Sequence, residues 1–208
     1  MPAVSVPAMV ELSHRDIRYA LAEYHSLADL CADRDQTPAE VKALIAAGRL
    51  PAATYLLPSG DQRFPPDYFA LVDEAGGVAS LPDRFRARYL SAAADMPTAA
   101  VDAAEDWAGY LSGQFGVCLW SVTPESMVEK NRLIRLIEDL VDLPREHDER
   151  WRADLRAAVT ALDELARPFT DFDRLRWGDT SRARHVDRVR ARFPAAFEGT
   201  GPVLYPAE

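Results

Sequence analysis

The sequence has few of the residues that build disulfide or metal frameworks. Its 208 residues include two cysteines, Cys31 and Cys118, which lie far apart and form no Cys-x-x-Cys motif. Four histidines are scattered, and no two lie four residues apart, the spacing that a helical metal site uses. The pattern excludes a disulfide scaffold and contains no zinc motif, so we predict neither a metal nor a cofactor.

Long apolar runs are also missing. No stretch reaches 18 uncharged apolar residues, and the first ten residues, MPAVSVPAMV, contain two prolines and no basic residue. The sequence therefore predicts a cytoplasmic protein that does not associate with membranes. Hydrophobic residues make up 48% of the chain and charged residues 27%, which is typical of a globular protein with a buried core.

Positive charge is scarce except near the C-terminus. The formal net charge is −9, which argues against indiscriminate binding to nucleic acid or anionic membranes by the whole molecule. The segment from Arg174 to Arg192, however, contains seven arginines and only two aspartates. This arginine-rich tail is the strongest charge asymmetry of the sequence and marks a candidate binding surface.

Helix-start signals recur along the chain. Thr37-Pro38-Ala39-Glu40 combines a threonine cap, a proline in the first turn and a glutamate placed to reach back, and Thr123-Pro124-Glu125 repeats this pattern. Two short apolar runs on either side of Pro58-Ser59-Gly60-Asp61 predict a β-hairpin. In the last predicted helix, from about residue 182 to 193, an apolar stripe faces the core.

We therefore predict a mainly α-helical protein. Residues 1–77 are predicted to form a winged helix-turn-helix-like domain with a small β-hairpin, and residues 78–208 a C-terminal helical bundle whose last helix is rich in arginine. Residues 169–181, which contain aromatic side chains, are predicted to be a loop.

Residues 26–74 follow the order helix, turn, helix, hairpin, helix and resemble the MerR-type DNA-binding domain. The landmarks are Leu27, Ala28 and Leu30, then Val41, Gly48, Leu50 and Pro51, then Gly60, Arg63 and Phe64, then Asp67, Phe69 and Leu71. In this domain the second helix enters the major groove and the hairpin contacts the DNA backbone. The resemblance implies that Lys42, Arg49 and Arg63 contact DNA.

The same block departs from the MerR-type pattern. Where that family has an arginine followed by aromatics, this chain has Lys42, Ala43 and Leu44. Residues 26–64 also contain four basic and five acidic residues. This negative balance is unfavourable for DNA binding, because DNA affinity depends on neutralising phosphates. The alternative interpretation is a helix-turn-helix that has lost DNA binding and serves as a packing or interaction module.

The predicted loop before the last helix contains the candidate ligand-binding or anion-binding residues Arg174, Arg176, Trp177 and Arg182. Arginine is suited to phosphates and carboxylates, and loops rich in arginine and tryptophan are frequent binding sites. Two structural alternatives stay open: the arginines pair with acidic helices of the same chain, or a tryptophan–arginine stack secures the helix junction.

No catalytic motif is recognisable. The chain contains neither Gly-x-Ser-x-Gly nor a phosphate-binding loop that ends in lysine and serine or threonine. Cys118 lies in an apolar run, which is typical of an inert buried thiol. We therefore assign no catalytic residue, and the sequence favours a protein that is not an enzyme.

The order of landmarks over nearly the whole chain resembles an uncharacterised bacterial family labelled "natural product biosynthesis protein". The landmarks are Leu50-Pro51 with Tyr55, Pro66-Asp67-Tyr68-Phe69, Gly116-Val117-Cys118-Leu119, Val122-Thr123-Pro124-Glu125 with Lys130, Leu162-Asp163 with Pro168-Phe169, and Asp173-Arg174 through Ser181-Arg182. The resemblance implies that the gene lies near gene clusters of specialised metabolism. It does not indicate which reaction, if any, the protein catalyses.

Two functional hypotheses follow. The first is a regulatory or accessory protein of natural product biosynthesis that binds DNA through the MerR-like block. The second is a small-molecule-binding protein or biosynthetic enzyme, with its site between the helical domain and residues 169–182. DNA, a small-molecule metabolite and a second copy of the chain as a homodimer are the candidate partners.

Overall fold

The architecture is taken from a computed structural model, and the structure describes residues 11–198. The ten N-terminal residues considered above lie outside this range. The α-helices of the described part are α1 (His14–Glu23), α2 (Leu27–Leu30), α3 (Pro38–Ala46), α4 (Ala70–Glu74), α5 (Leu81–Ala92), α6 (Ala99–Leu111), α7 (Phe115–Cys118), α8 (Pro124–Asp142), α9 (Glu149–Leu165), α10 (Asp171–Trp177) and α11 (Arg188–Arg192). A π-helical turn, Ala183–Asp187, leads directly into α11, and a short 3-10 helix, Pro194–Ala196, follows it.

The predicted hairpin is present and is short. Strand β1 (Tyr55–Leu56) pairs antiparallel with β2 (Gln62–Arg63), so that Tyr55 lies opposite Arg63. The amide of Leu57 donates to the carbonyl of Asp61 at 2.9 Å, which closes the turn between the strands. Helices dominate the rest of the described chain, which confirms the prediction of a mainly α-helical protein with one small hairpin.

Local capping explains where two predicted helices begin. At α3, the Thr37 hydroxyl accepts from the amide of Glu40 and the Glu40 carboxylate accepts from the amide of Thr37, as the sequence pattern predicts. At α8, Ser126 completes the reciprocal pair with Thr123, and not Glu125. Glu125 lies one residue too early for this role, and its carboxylate instead accepts from Arg88 at 2.9 Å.

The region between α9 and the last helix is more regular than the sequence analysis predicted. Residues 171–177 form α10 and not a loop, because the Thr170 hydroxyl accepts from the amide of Asp173 while the Asp173 carboxylate accepts from the amide of Thr170. The predicted last helix is present as the π-helical turn followed by α11. Its stripe of Val186, Val189 and Phe193 is buried, as expected.

Two large clusters of buried side chains hold the helices together. The larger cluster extends from Leu27 in α2 to Val128 in α8 and so has members on both sides of residue 77. The second cluster joins α8, α9 and the C-terminal helices around Ile137, Leu155 and Val186. The N-terminal segment therefore shares its core with α5, α6 and α8. The division into two domains at residue 77 stays a prediction.

Hydrogen bonds add to this shared core. The Tyr24 hydroxyl donates to the carbonyl of Gly116 at 2.8 Å, and the Ala52 amide donates to the carbonyl of Leu111 at 2.8 Å. These bonds fix α1 and the approach to the hairpin against α6 and α7. None of the helices in the described residues has the length and apolar character needed to cross a membrane.

Candidate functional site

The first wall of the candidate site is the N-terminal turn of α1. Ser13 caps this helix, since its hydroxyl accepts from the amide of Asp16 at 3.2 Å and the Asp16 carboxylate accepts from the amide of Ser13 at 2.9 Å. The capping pair fixes the first turn and leaves Asp16 buried. Arg15, Asp16 and Tyr19 then face the same cleft, because residues three and four apart lie on one side of a helix.

The second wall is the segment that starts α10. Asp173 is fully buried, and it accepts from the amide of Thr170 at 3.0 Å and from the Tyr55 hydroxyl at 2.8 Å. Burial raises the pKa of the Asp173 carboxyl above its ordinary value. Through Tyr55 this aspartate joins α10 to the hairpin, and the neighbouring Arg174 is left exposed at the cleft.

The third wall is the segment that leads into the π-helical turn, where Arg182 is buried. Its guanidinium pairs with the Asp163 carboxylate of α9, and the side chains are 4% and 2% exposed. Arg190 Nη1 lies 2.8 Å from the other oxygen of the same carboxylate. One buried acid therefore lies between two arginines, which fixes the position of Arg182 beside the cleft.

These three walls enclose a cleft of about 370 Å³, which we name the arginine cleft. Its lining residues are Arg15, Asp16, Tyr19, Pro168, Phe169, Thr170, Asp171, Arg174, Arg182 and Asp187. The volume lies within the range of small-molecule sites, roughly 300–1,000 Å³. Phe169 and Tyr19 supply aromatic surface, and burial raises the pKa of the Tyr19 phenol, which favours its neutral form.

The carboxylates of the arginine cleft are partly engaged within the protein. Asp16 accepts the bonds of the α1 cap, and Asp171 Oδ1 lies 3.1 Å from Arg174 Nη1. Each guanidinium carries five N–H donors, so one bond to Asp171 leaves other donors of Arg174 available to a ligand. The arrangement can hold a carboxylate or phosphate between guanidinium groups while an apolar part of the same molecule contacts Phe169.

The structure brings together only two of the four residues predicted to bind a ligand. Arg174 and Arg182 both line the arginine cleft. Arg176 points elsewhere: its Nη1 donates to the carbonyl of Thr54 at 3.1 Å, and its guanidinium lies 4.7 Å from the centre of the Trp177 ring. The stack with Trp177 is formed between neighbouring residues of α10, and the bond to Thr54 secures α10 against the segment that precedes the hairpin.

Several arginines of the tail pair with acids of the same chain. Arg188 Nη2 lies 2.5 Å from Asp179 Oδ1, and Arg184 Nε lies 4.0 Å from Asp179 Oδ2. Glu138 of α8 contacts the Nε2 atom of His185 at 2.9 Å. Asp163 lies on α9, so its contacts with Arg182 and Arg190 are of the kind that the structural alternative described, whereas Asp179 belongs to the arginine-rich tail itself.

The three residues predicted to contact DNA lie on different segments. Lys42 lies exposed on α3, next to the buried Val41, and Arg49 follows the end of the helix, where Gly48 has φ +65. Arg63 lies half-buried in β2. The outward side of α3 is mostly alanine, with Glu40 as well as Lys42 exposed.

Sequence reasoning missed α1 as a part of the site. Arg15, Asp16 and Tyr19 are far from Arg174 in the chain, and no spacing rule joins them. One usable signal was the pair of reciprocal caps, Ser13 with Asp16 and Thr170 with Asp173, which fix the first turns of two helices beside the cleft. In the described residues no group of three or more potential metal ligands occurs.

Residues 82–194 match the model of a family of unknown function, DUF6058, and this is more than half of the chain. The chain belongs to this family. The match confirms that it is a member of an uncharacterised family. Neither the curated proteins nor the solved structures contain a match to the chain.

In this DUF6058 protein, the matched segment includes Arg174 and Arg182 but not α1. Two walls of the arginine cleft therefore come from the family segment, and the third comes from the residues that precede it.

Proposed function

We propose that this protein is a small-molecule-binding accessory protein whose ligand lies in the arginine cleft. The single observation that carries the proposal is the convergence of Arg15, Arg174 and Arg182, from three separate segments, around one cleft with aromatic surface. A ligand with a carboxylate or phosphate and an adjoining apolar or aromatic group suits this arrangement. The role in specialised metabolism comes from the resemblance described above and is part of the proposal.

The first test is direct detection of a ligand. Native mass spectrometry of the purified full-length protein should show a species heavier than the chain, and denaturation should release an anionic small molecule. The Arg174→Gln variant should retain less of it, because Arg174 lines the cleft. Its side chain is 55% exposed, so we expect the variant to fold.

The second test uses a defined probe, phenyl phosphate, which combines an anionic and an aromatic group. We expect Arg174→Gln to weaken its binding about tenfold, the effect of losing one hydrogen bond to a charged group. Calorimetric titration measures this change. The matched control is Arg150→Gln on α9, because the Arg150 side chain is 90% exposed and does not line the cleft. Equal affinity of the unmodified protein and both variants for phenyl phosphate would argue against the arginine cleft as its binding site.

Sequence-specific DNA binding is the second candidate function. It is supported by the order of α2, α3, the hairpin and α4, and by the exposure of Lys42 and Arg49. The test is a fluorescence titration with the upstream DNA of its own gene and a scrambled duplex at two salt concentrations. A preference for the upstream DNA that weakens with salt would support this function, and Lys42→Gln should then reduce the affinity.

A further inference from the structure

A second cleft, of about 290 Å³, lies next to the arginine cleft and shares Phe169 with it. We name it the thiol cleft. Its lining residues are Gln114, Phe115, Val117, Cys118, Lys130, Phe169, Trp177, Thr180, Ser181 and Arg184. Three aromatic rings give it apolar walls, and two cations and a cysteine give it reactive and charged groups.

Cys118 and Lys130 are in direct contact in this cleft. Lys130 Nζ lies 3.1 Å from Cys118 Sγ, and it also lies 5.6 Å from the centre of the Phe115 ring. Lys130 is in the second turn of α8, and Cys118 ends α7, where its carbonyl accepts from the amide of Arg167 at 3.2 Å. Helix packing and a backbone hydrogen bond therefore place both groups.

The choice of lysine at this position is unusual for this chain. The sequence contains 22 arginines and only two lysines, Lys42 and Lys130. A lysine ammonium is a compact point charge that can donate to one atom, whereas a guanidinium is a planar fork suited to carboxylates. Against a single sulfur atom, the ammonium is the better partner.

The contact has a chemical consequence. The thiolate, and not the thiol, is the nucleophilic form of cysteine, and Lys130 lies where it can donate a hydrogen bond to the Cys118 sulfur. Cys31 is a natural comparison, because both cysteines are 7% exposed. At Cys31, burial raises the pKa of the thiol, and the nearby cation is the guanidinium of Arg34. Only at Cys118 does an ammonium contact the sulfur within the described residues.

We propose that Cys118 and Lys130 form a nucleophilic site that accepts an acyl group from an acyl thioester. The Cys118 sulfur forms a bond to the carbonyl carbon while the bond between that carbon and the donor sulfur breaks. The donor leaves as a free thiol after taking up the proton that the Cys118 thiol lost, so no oxidant or reductant is needed. Lys130 also lies where it can donate to the carbonyl oxygen as negative charge develops.

The aromatic walls fit the acyl group of such a donor. Phe115, Phe169 and Trp177 line the cleft beside the sulfur and provide apolar surface for a short acyl chain. The inference is independent of the ligand of the arginine cleft, since it depends on Cys118 and Lys130, which that cleft does not include.

The test is acylation of the folded full-length chain by S-butanoyl-N-acetylcysteamine. Peptide mass spectrometry should find the butanoyl group on Cys118, formed about tenfold or more faster than on Cys31. Cys118→Ser should abolish this modification and leave the slow reaction of Cys31 unchanged. Equal rates at the two cysteines, or no butanoyl group on Cys118, would overturn the proposal.

The role of the ammonium is tested separately. Lys130→Met has nearly the same side-chain length without the charge, and it should slow acylation of Cys118 about tenfold while Cys31 is unaffected. Lys130→Arg retains a cation and should restore part of the rate. Circular dichroism checks that each variant is folded. An unchanged rate in Lys130→Met would remove Lys130 from the site.

Discussion

Replacing Arg182 with methionine is expected to lower the free energy of unfolding by about 3 kcal/mol. The Asp163 carboxylate is 2% exposed, and without Arg182 its cationic partner among residues 11–198 is Arg190. A buried charge that loses a partner is costly, because water cannot replace the missing interaction. Urea unfolding followed by circular dichroism at neutral pH measures the change.

Two further variants show whether the buried ion pair is the cause. In Asp163→Leu combined with Arg182→Met, two apolar side chains replace the pair, and part of the lost stability should return, although Arg190 then loses its contact with Asp163. Arg150→Met is the control for loss of a surface arginine, since Arg150 is 90% exposed and its contact to Asp154 is 3.9 Å long. It should change the free energy of unfolding by less than about 0.5 kcal/mol. A loss below about 1 kcal/mol in Arg182→Met would show that Arg190 alone compensates Asp163.

Replacing Gly113 with alanine is expected to lower the free energy of unfolding by about 3 kcal/mol. Gly113 has φ +78, a conformation that side chains with a Cβ rarely adopt, and an added Cβ would lie 2.4 Å from the carbonyl oxygen of Ala52. Backbone strain and steric overlap add here, because the atom in the way is backbone and cannot move aside easily. Denaturant unfolding measures the loss.

Gly48→Ala is the matched control for Gly113. Gly48 has φ +65, but an added Cβ would have no heavy atom within 4 Å, so strain alone remains and the expected loss is about 1 kcal/mol. Hydrogen exchange gives a second readout, because the Ala52 amide donates to the carbonyl of Leu111 beside this contact. Faster exchange of that amide in Gly113→Ala would locate the damage between the hairpin segment and α6. Equal losses for the two variants would contradict a steric cause.

The candidate site could be predicted only in part. Arg174 and Arg182 were identified because arginines accumulate near the C-terminus, and both line the arginine cleft. Arg176 and Trp177 belong to the same sequence cluster, but Arg176 contacts Thr54 before the hairpin, and Trp177 lines the thiol cleft. Composition shows that a segment is rich in arginine, but the direction in which each side chain points depends on α10, which the sequence analysis predicted to be a loop.

The Thr170-x-x-Asp173 pattern was present and could have predicted α10. It is a reciprocal cap of the same kind as Thr37 with Glu40, and it forms in the structure for the same local reason. Cys118 is a different case. Its apolar neighbours in the sequence predict an inert thiol, and only the packing of α7 against α8 brings Lys130 to its sulfur.

Local sequence patterns are sufficient to specify the helical character of the protein, the hairpin and several helix starts. Caps, prolines and apolar stripes act over three or four residues, so their effect on the backbone is local and can be read without the fold. The tertiary structure alone decided which distant residues meet. Arg15 of α1, Arg174 of α10 and Arg182, just before the π-helical turn, line one cleft because burial of apolar side chains fixes their segments. Residues of α1 and Phe172 of α10 belong to one small apolar cluster, Val186 of the π-helical turn belongs to another, and no local pattern encodes the distance between the three arginines.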